Sequence, residues 1–432
     1  MNERDTEALS CLLEKEGLER VDSESEADVL LFNTCSVRDQ AERKVFGKVG
    51  QLKKIKRQHP DITIGVIGCM AQNYGDSLIE KLPHVDFVVG TDNLHNIPQI
   101  LTDKKEENAK RVFTEVGHEI MERLSTHHAG KVSSYVSVMR GCNQFCSYCI
   151  VPYVRGREKS RDITSIKQEV KDLAAGGTRE IFLLGQNITA YGITEEREKG
   201  SYNNDKSPFA DLLKAINDVE GVERIRFTSP HPKYMNEEFI DTVAALPKVC
   251  EHFHVPLQSG SDKILKRMRR GYTVADYMDR IQRIQAKLPS ATFSTDIIVG
   301  FPGETESDFN ATRETMEEVG FDMAYIFKYS PRSGTKAAEF NDDVEQGVKE
   351  TRNHLLLEDL EKRALKHNRR HIGAEEQILI EGPSKRNQQK WMGRTRTNKV
   401  CIFPPKSGTS AGQLCKVYIE EVTPNSLFCS LK

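Results

Sequence analysis

The chain has 432 residues, 38% of them hydrophobic and 29% charged, which excludes the compositions of fibrous and intrinsically disordered proteins. At roughly 100 to 200 residues per domain, this length predicts about two to four domains. The sequence has no run of about 18 apolar residues and opens on polar residues, so we expect a cytoplasmic protein with no membrane partner. The net charge of −2 conceals an asymmetry. Residues 1–30 hold ten acidic and three basic side chains, whereas residues 361–400 hold four acidic and eleven basic ones. The basic C-terminal part indicates either a polyanionic partner or a solvated helix face.

The first third of the chain has the pattern of a small α/β domain. Three β-rich runs occur here, at residues 27–35, 62–69 and 85–90. Polar stretches of helical character, such as 39–56, separate them. The first two runs end on Cys35 and Cys69, and ligands of open α/β sheets collect at the carboxyl ends of strands, so we expect these cysteines to share a site. A polar linker is expected between about residues 115 and 130.

The middle of the chain alternates strand and helix patterns. The predicted strands are 135–140, 180–184, 224–228, 252–257, 293–299 and 324–329. Helical patterns fill the gaps, and repeated strand-helix units demand parallel pairing with right-handed crossovers. This part therefore predicts an α/β fold, either an open sheet or a partial (β/α)6 parallel barrel.

The last part of the chain changes pattern twice. Helical periodicity with heavy charge covers residues 347–370. Short strand-like runs follow, separated by Gly/Pro turns, at residues 377–380, 399–403 and 415–419. These runs predict a small C-terminal β-barrel.

Ten cysteines in a reducing compartment are more often metal ligands or reactive groups than disulfides. Cys142, Cys146 and Cys149 form a Cys-x-x-x-Cys-x-x-Cys run in a loop after a predicted strand. Three thiolates can bind three irons of a cubane cluster and leave the fourth iron open to another ligand. Zinc is the alternative, but zinc sites usually pair two Cys-x-x-Cys halves, and the sequence has no second pair.

Through this run, the sequence resembles the radical S-adenosylmethionine superfamily. The resemblance implies that the open iron binds S-adenosylmethionine, whose reductive cleavage yields a 5′-deoxyadenosyl radical. The positions that correspond to the family's cofactor contacts are Tyr148 near the adenine, Gln186, Asn187, Gln258, Ser259 and the 300–304 loop. Each could instead be ordinary core packing or turn chemistry.

Further motifs narrow the resemblance to the methylthiotransferases, over nearly the whole chain. They are Asn33-Thr-Cys-Ser-Val-Arg38, Gly68-Cys-Met-Ala-Gln72, Arg140-Gly-Cys-Asn143 and Val151-Pro-Tyr-Val-Arg-Gly-Arg157. The family implies an N-terminal methylthiotransferase domain at 1–115, a radical core at 128–360 and an RNA-binding β-barrel, the TRAM domain, at 370–432. The Cys-Ser-Val-Arg form resembles the branch that acts on N6-dimethylallyladenosine beside the tRNA anticodon. Sister branches act on threonylcarbamoyladenosine in tRNA or on an aspartate of a ribosomal protein.

The resemblance also implies two 4Fe-4S clusters and two S-adenosylmethionine molecules per product. An auxiliary cluster on Cys35 and Cys69 would carry the sulfur, while the cluster on the triad would cleave the cofactor. Sulfur insertion at the unactivated C2–H of a purine has no acid-base route, which agrees with radical chemistry.

Similarity of residues 393–398 to the TRAM turn implies a tRNA contact. Arg394, Arg396 and Lys399 are the predicted contacts, unless they only solubilise a barrel edge. The expected partners are tRNA and an electron donor such as a flavodoxin or ferredoxin, and the expected state is a monomer.

The family's auxiliary cluster takes a third cysteine, from a Gly-Cys-Gln-Met-Asn run at the end of the first strand. This sequence begins Met1-Asn2, which matches the last two residues of that run, so we expect the true start and the missing cysteine to lie upstream. Cys11 is the alternative third ligand, although its place on an apolar-faced helix favours burial. If Met1 is the true start, a non-catalytic iron-sulfur RNA-binding protein is the alternative function. The cysteines predicted to be structural are Cys250, Cys401, Cys415 and Cys429.

Overall fold

The computed structural model describes residues 1–36, 39–103, 111–116 and 130–432, with the backbone alone for residues 39–41. Two compact units form: the first holds the described residues of 1–128 together with 139–161 and 332–335, and the second holds 130–138, 162–331 and 336–432. Most of the expected linker, and Val37 and Arg38 of the Cys-Ser-Val-Arg motif, lie outside the described residues. Within the described ranges, no helix is long and apolar enough to cross a membrane.

The N-terminal part of the first unit is a parallel sheet with helices. Its elements are α1 (Asn2–Lys15), β1 (Val29–Thr34), α2 (Asp39–Gln58), β2 (Thr63–Gly68), α3 (Cys69–Tyr74), α4 (Asp76–Lys81), β3 (Phe87–Val89), α5 (Ile97–Asp103) and β4 (Val112–Phe113). The strands pair in the order β1-β2-β3-β4, all parallel. Strand β2 is buried along its whole length because apolar clusters cover both of its faces. The predicted α/β N-terminal fold is confirmed.

The middle of the chain contributes to both units. Its elements are β5 (Ser133–Ser137), β6 (Met139–Arg140), α6 (Val151–Val154), β7 (Lys159–Ser160), α7 (Ile163–Ala175), β8 (Glu180–Leu184), α8 (Ile193–Glu198), α9 (Pro208–Asn217), β9 (Arg224–Phe227), α10 (Glu237–Ala245), β10 (His252–His254), α11 (Asp262–Arg267), α12 (Val274–Lys287), β11 (Thr292–Val299), α13 (Glu306–Val319) and β12 (Met323–Lys328). Of these, β6, α6 and β7 belong to the first unit. The single strand predicted at 135–140 is therefore two, because the chain leaves the parallel sheet after Val138, whose N–H makes a 3.0 Å bond to the Leu184 carbonyl.

Six parallel strands form the core of the second unit. They pair as β5-β8-β9 and β10-β11-β12, and a bridge between Ile225 and Val249 joins the two sheets. Helices α12 and α13 start at complete capping boxes on Thr273 and Thr305, which fixes the first residue of each helix. The predicted partial parallel barrel is confirmed.

The C-terminal part consists of a long helix and a closed barrel. Its elements are α14 (Gln346–Asn368), β13 (Glu375–Pro383), β14 (Trp391–Thr395), β15 (Val400–Phe403), β16 (Leu414–Val422) and β17 (Leu427–Leu431). The barrel closes in the order β13-β14-β15-β17-β16, which confirms the predicted C-terminal barrel. The sequence patterns missed β14 and β17. In β14, a Cβ on Gly393 would lie 2.6 Å from the Leu379 carbonyl oxygen, so this position requires glycine. Without an apolar side chain at this position, the sequence lacks the alternating pattern that predicts a strand.

Candidate functional site

The loop of the cysteine triad, residues 141–158, is closed at its base. Strands β6 and β7 pair antiparallel and bring the two ends of the loop together. The Cys142 N–H donates to the Gly156 carbonyl at 3.2 Å. Gly141 has a φ of +73°, and a Cβ there would lie 2.0 Å from the Arg157 carbonyl oxygen, so only glycine fits this close approach. The three predicted cluster cysteines thus occupy one constrained loop.

The triad thiols lie near enough to influence one another. Burial, together with the Glu158 carboxylate and the sulfurs of Cys149 and Cys146, raises the pKa of Cys142 to about 12. Iron binds the thiolate form of cysteine. Without a cluster the raised pKa keeps the Cys142 thiol protonated, and a bound cluster would take the place of that proton. Across the part of the chain that the structure describes, no three His, Cys, Asp or Glu side chains already stand in metal-ligand geometry. The ligand role of the triad stays a prediction, supported by its donor set and spacing.

Aromatic side chains belong to the same loop. Tyr148 is half-buried, and its predicted place near an adenine stays a prediction. Phe145 has a φ of +46°, and the Arg157 guanidinium carbon lies 4.3 Å from its ring centroid. This cation–π contact helps to hold a backbone conformation that is unusual for a bulky residue.

Cys35 and Cys69 lie at the same edge of the N-terminal sheet. Cys35 directly follows β1, Cys69 directly follows β2, and the last residues of these neighbouring strands, Thr34 and Gly68, are register partners. Burial raises the pKa of Cys69, and the nearby sulfur of Cys35 also raises it. The buried hydroxyl oxygen of Ser36 has no hydrogen-bond partner among the described residues, so a polar atom is left for a bound group. The structure brings the two predicted auxiliary ligands together, while their ligand role stays a prediction.

The segment that follows the triad packs against Cys69. Cys69, Ile150 and Val154 form a buried apolar cluster. The Thr91 hydroxyl donates to the Val154 carbonyl at 2.7 Å and fixes α6 in this position. The triad loop and the auxiliary cysteines therefore belong to one packed unit.

A buried arginine adjoins the auxiliary cysteines. Arg155 donates hydrogen bonds to the carboxylate of Asp5 at 2.8 Å and to the side-chain oxygen of Asn2 at 2.7 Å. Burial alone would lower the pKa of Arg155, but the Asp5 carboxylate and the Cys69 sulfur, with which it also forms a hydrogen bond, raise it above its ordinary value. Arg155 is not among the site residues predicted from the sequence. Its place in the Val-Pro-Tyr-Val-Arg-Gly-Arg motif was the available signal.

The other predicted cofactor residues lie in the second unit, after its parallel strands. Gln186 and Asn187 follow β8. The side-chain oxygen of Gln186 is buried and has no hydrogen-bond partner among the described residues. An unpaired buried acceptor costs free energy, so it fits a ligand that donates a hydrogen bond, such as an amino or hydroxyl group of S-adenosylmethionine.

Gln258 and Ser259 lie in the loop after β10. Gln258 has a φ of +72°, and its N–H donates to the Asp296 carbonyl at 2.8 Å. Ser259 is fully buried, and its hydroxyl lies 3.4 Å from that of Thr312. The loop at 300–304 is closed by the Glu304 carboxylate, which accepts from the Gly300 N–H at 2.7 Å. The cofactor contacts of these residues stay predictions.

Three known families match the chain. They are the Radical SAM superfamily at residues 136–316, the Uncharacterized protein family UPF0004 at 1–90 and the TRAM domain at 369–432. A tRNA-2-methylthio-N(6)-dimethylallyladenosine synthase of Clostridium botulinum is 44% identical over 430 residues, which cover 99% of this chain and 94% of the relative. A protein of the same name from Carboxydothermus hydrogenoformans is 44% identical, over 98% of this chain and 94% of the relative. Another, from Opitutus terrae, is 41% identical over 100% of this chain and 95% of the relative. The chain belongs to this family of tRNA methylthiotransferases.

Family membership confirms the predicted enzyme class, a radical S-adenosylmethionine enzyme with an iron-sulfur cluster. Among solved structures, the radical S-adenosylmethionine methyltransferase TsrM of Kitasatospora setae has a TM-score of 0.51 at 16% identity, covering 74% of this chain and 64% of that one. The cobalamin-dependent radical enzyme OxsB has a TM-score of 0.52 at 15% identity, and the match covers 83% of this chain and 53% of OxsB. The chain thus spans less than two thirds of either protein, and these likenesses concern the fold alone.

The three cations predicted to contact RNA in this methylthiotransferase are paired within the chain. Arg394 lies 2.8 Å from the Glu381 carboxylate, and Lys399 lies 2.5 Å from that of Asp322. Arg396 donates to both carboxylate oxygens of a core glutamate. Their RNA contacts stay a prediction.

The remaining five cysteines do not belong to these loops. The predicted burial of Cys11 is confirmed, since it is 7% exposed in α1. Cys250, Cys401 and Cys429 are buried and Cys415 is half-buried, which agrees with structural roles.

Proposed function

We propose that this chain transfers a methylthio group to C2 of N6-dimethylallyladenosine next to the anticodon of tRNA, in the cytoplasm. The observation that carries the proposal is the packing of Cys69 against Ile150 and Val154, directly after the triad, in a chain that is 44% identical to synthases of that name. Sulfur-bearing and radical-forming cysteines have to act on one substrate, so their packing in one unit supports this activity. We assign the methylthiotransferase domain to 1–115, the radical core to 128–360 and the TRAM domain to 370–432.

We assign the cofactors to two sets of cysteines. Cys142, Cys146 and Cys149 hold a 4Fe-4S cluster that takes S-adenosylmethionine, and Cys35 and Cys69 belong to a second cluster. When bound, these groups supply a radical that removes hydrogen from an unactivated C–H, and a sulfur atom for the product. Two S-adenosylmethionine molecules are used per product, one for the radical and one for the methyl group.

The chain's own residues control charge and water at these sites. The Arg155 guanidinium balances the negative charge of a thiolate at Cys69, and the side chains of Ile150 and Val154 keep water from that sulfur. The side-chain oxygen of Gln186 accepts a hydrogen bond from the cofactor. The other side chains that we assign to cofactor contacts are Tyr148, Asn187, Gln258 and Ser259.

An anaerobic assay tests the proposed activity. The chain is reconstituted with iron and sulfide and given reductant, S-adenosylmethionine and tRNA that carries either N6-dimethylallyladenosine or threonylcarbamoyladenosine. We expect mass spectrometry to show 5′-deoxyadenosine and a methylthio nucleoside from the first tRNA only. Cys146→Ala should abolish both products, whereas the matched buried variant Cys250→Ala should retain them.

The outcomes separate the alternatives. A methylthio product from the second tRNA would point to the sister activity. Formation of 5′-deoxyadenosine without methylthio product would contradict methylthio transfer, and absence of both products from the wild type would favour a non-catalytic iron-sulfur RNA-binding protein.

We also propose that the chain works as a monomer and receives electrons from a flavodoxin or ferredoxin. The radical step needs one electron from outside the chain, and small redox proteins of this kind supply electrons singly. Light scattering of the reconstituted protein measures the mass, which should equal that of one chain, 49.0 kDa. Replacing the chemical reductant with reduced flavodoxin or ferredoxin in the same assay tests the electron donor.

A further inference from the structure

The turn between β14 and β15, residues 395–399, is fastened to the radical core through its main chain. The buried Arg226 guanidinium donates to the carbonyls of Thr395 at 2.7 Å and Arg396 at 2.8 Å. Arg224, also buried, donates to two further carbonyls of the barrel. Both arginines lie on β9, so this turn, named here the docking turn, sits against a strand of the parallel barrel.

The cations of the docking turn are neutralised by the core. Arg396 donates to both oxygens of the Glu251 carboxylate, at 2.7 and 2.9 Å, and to the carbonyls of Pro247 and Val249, at 2.8 and 2.6 Å. The Lys399 side chain is only 10% exposed. A guanidinium that already serves four acceptors has little left to offer a phosphate. The docking turn is therefore a poor RNA-binding surface.

The opposite end of the TRAM barrel carries cations that do not pair with any carboxylate of the described residues. Because its strands run alternately up and down, the loops at 384–390 and 404–413 emerge at the end away from the docking turn. These two loops contain no acidic residue. They carry four exposed cations: Lys385, Arg386, Lys390 and Lys406. Among the described residues, none of the four forms an ion pair with a carboxylate.

Aromatic rings accompany these cations. The Lys390 ammonium lies 5.5 Å from the ring centroid of Phe428. Trp391, the only tryptophan of the chain, follows Lys390 directly and is half-buried. Cations that attract phosphates beside rings that can stack on bases are typical of surfaces that bind RNA without reading its sequence.

We propose that the surface formed by Lys385, Arg386, Lys390 and Lys406, named here the loop surface, is the part of the TRAM barrel that contacts the tRNA backbone. The docking turn then serves to hold the barrel on the radical core. This inference rests on the proposed function, which makes tRNA the substrate. Its basis is charge: among the described residues, none of these four cations pairs with a carboxylate, which suits a phosphate backbone, whereas the cations of the docking turn are already paired.

Binding of fluorescent tRNA to the full-length chain, followed by anisotropy at several salt concentrations, tests the loop surface. The variant is Lys385→Ala/Arg386→Ala/Lys390→Ala. Its matched control is Lys53→Ala/Lys54→Ala/Arg57→Ala, which removes the same number and kinds of exposed cation from α2. We expect the loop variant to bind roughly tenfold or more weakly and to lose about two units of the slope of log K against log salt. The control should change the affinity less than about twofold.

A second variant examines the docking turn itself. Lys399→Met keeps the length of the buried side chain and removes its charge, and we expect an unchanged affinity for tRNA. Equal binding by the loop variant and the wild type would overturn the inference while leaving the proposed function intact. Loss of binding in Lys399→Met, with the loop variant unaffected, would overturn it as well. Failure of the wild type to bind tRNA at all would remove the proposed function and this inference together.

Discussion

The carboxylate of Asp5, on α1, lies 2.8 Å from the guanidinium of Arg155, 150 residues further along the chain. The two side chains are 16% and 5% exposed, so the pair is shielded from bulk water. Because Arg155 also bonds to the Cys69 sulfur, this ion pair connects the first helix, the auxiliary cysteines and the segment after the triad. It holds together the part of the molecule where we place the sulfur chemistry.

Asp5→Asn should destabilise the chain strongly, because it leaves the buried guanidinium without its charge partner. We expect the free energy of unfolding in urea to fall by roughly 3 kcal/mol, in the range seen when one partner of a buried pair is removed. Asp211→Asn is the control, since Asp211 is 61% exposed and pairs with Lys214, and it should cost about 0.5 kcal/mol or less. Equal losses in the two variants would show that the Asp5 pair is not special.

Gln186→Ala should weaken the binding of S-adenosylmethionine. If the buried side-chain oxygen accepts a hydrogen bond from the cofactor, its removal should raise the Kd about tenfold, equivalent to roughly 1.4 kcal/mol. Equilibrium dialysis with the reconstituted chain measures this value. Gln168→Ala on α7 is the control, because the Gln168 amide bonds to the nearby Asp172 at an exposed site. An unchanged Kd in Gln186→Ala would remove this residue from the cofactor site.

Gly141→Ala should disrupt the triad loop. The added methyl group would meet the Arg157 carbonyl oxygen at 2.0 Å, in a left-handed backbone conformation that disfavours any side chain. We expect the iron bound after reconstitution to fall to roughly the level of a chain that lacks one triad cysteine. Gly47→Ala provides the comparison, since nothing lies within 4 Å of its added Cβ and α2 should accept alanine. Full iron content in Gly141→Ala would contradict the close approach seen here.

His252 should make the stability of the chain depend on pH. Burial, followed by the nearby charges of Arg226 and His254, lowers the pKa of His252 from 6.5 to about 3. Between these values the unfolded chain binds a proton that the folded chain does not, so stability is lost as the pH falls through about 6.5 toward 3. Relative to His252→Gln, the wild type should lose roughly 1.5 kcal/mol of unfolding free energy between about pH 6.5 and pH 5.

The control for this prediction is His354→Gln, because the His354 side chain is 75% exposed. This variant should follow the wild-type pH dependence. If His252→Gln also follows it, the histidine is protonated in the folded chain and the prediction is wrong.

Local pattern was enough to predict most of the architecture. Buried β-runs separated by amphipathic helices identified the N-terminal α/β domain and the parallel barrel. Strand ends identified Cys35 and Cys69 as neighbours, because parallel strands finish at one edge. Which strands pair with each other was harder to predict from the sequence. The run at 135–140 is uniformly strand-like, and its alternation does not reveal that Met139 and Arg140 pair with β7 instead of β8.

Long-range charge pairing was beyond local reasoning. A basic turn such as 394–399 looks like an exposed surface in the sequence, because its acidic partners Glu251 and Asp322 lie far away along the chain. The same holds for Arg155, whose role depends on Asp5. Sequence spacing predicts ligand sets within one loop, but it does not show which cations already pair with acidic side chains in the folded chain.

The bonds from Arg226 to the docking turn end on carbonyl oxygens, which every amino acid possesses. Replacement of the side chains at these positions therefore leaves the same acceptors in place, provided that the turn keeps its shape. At an interface of this kind, the side chains of the barrel can change during evolution, whereas the core must keep its arginine. It predicts that TRAM barrels could be exchanged between related enzymes more easily than the arginines of β9 could be replaced.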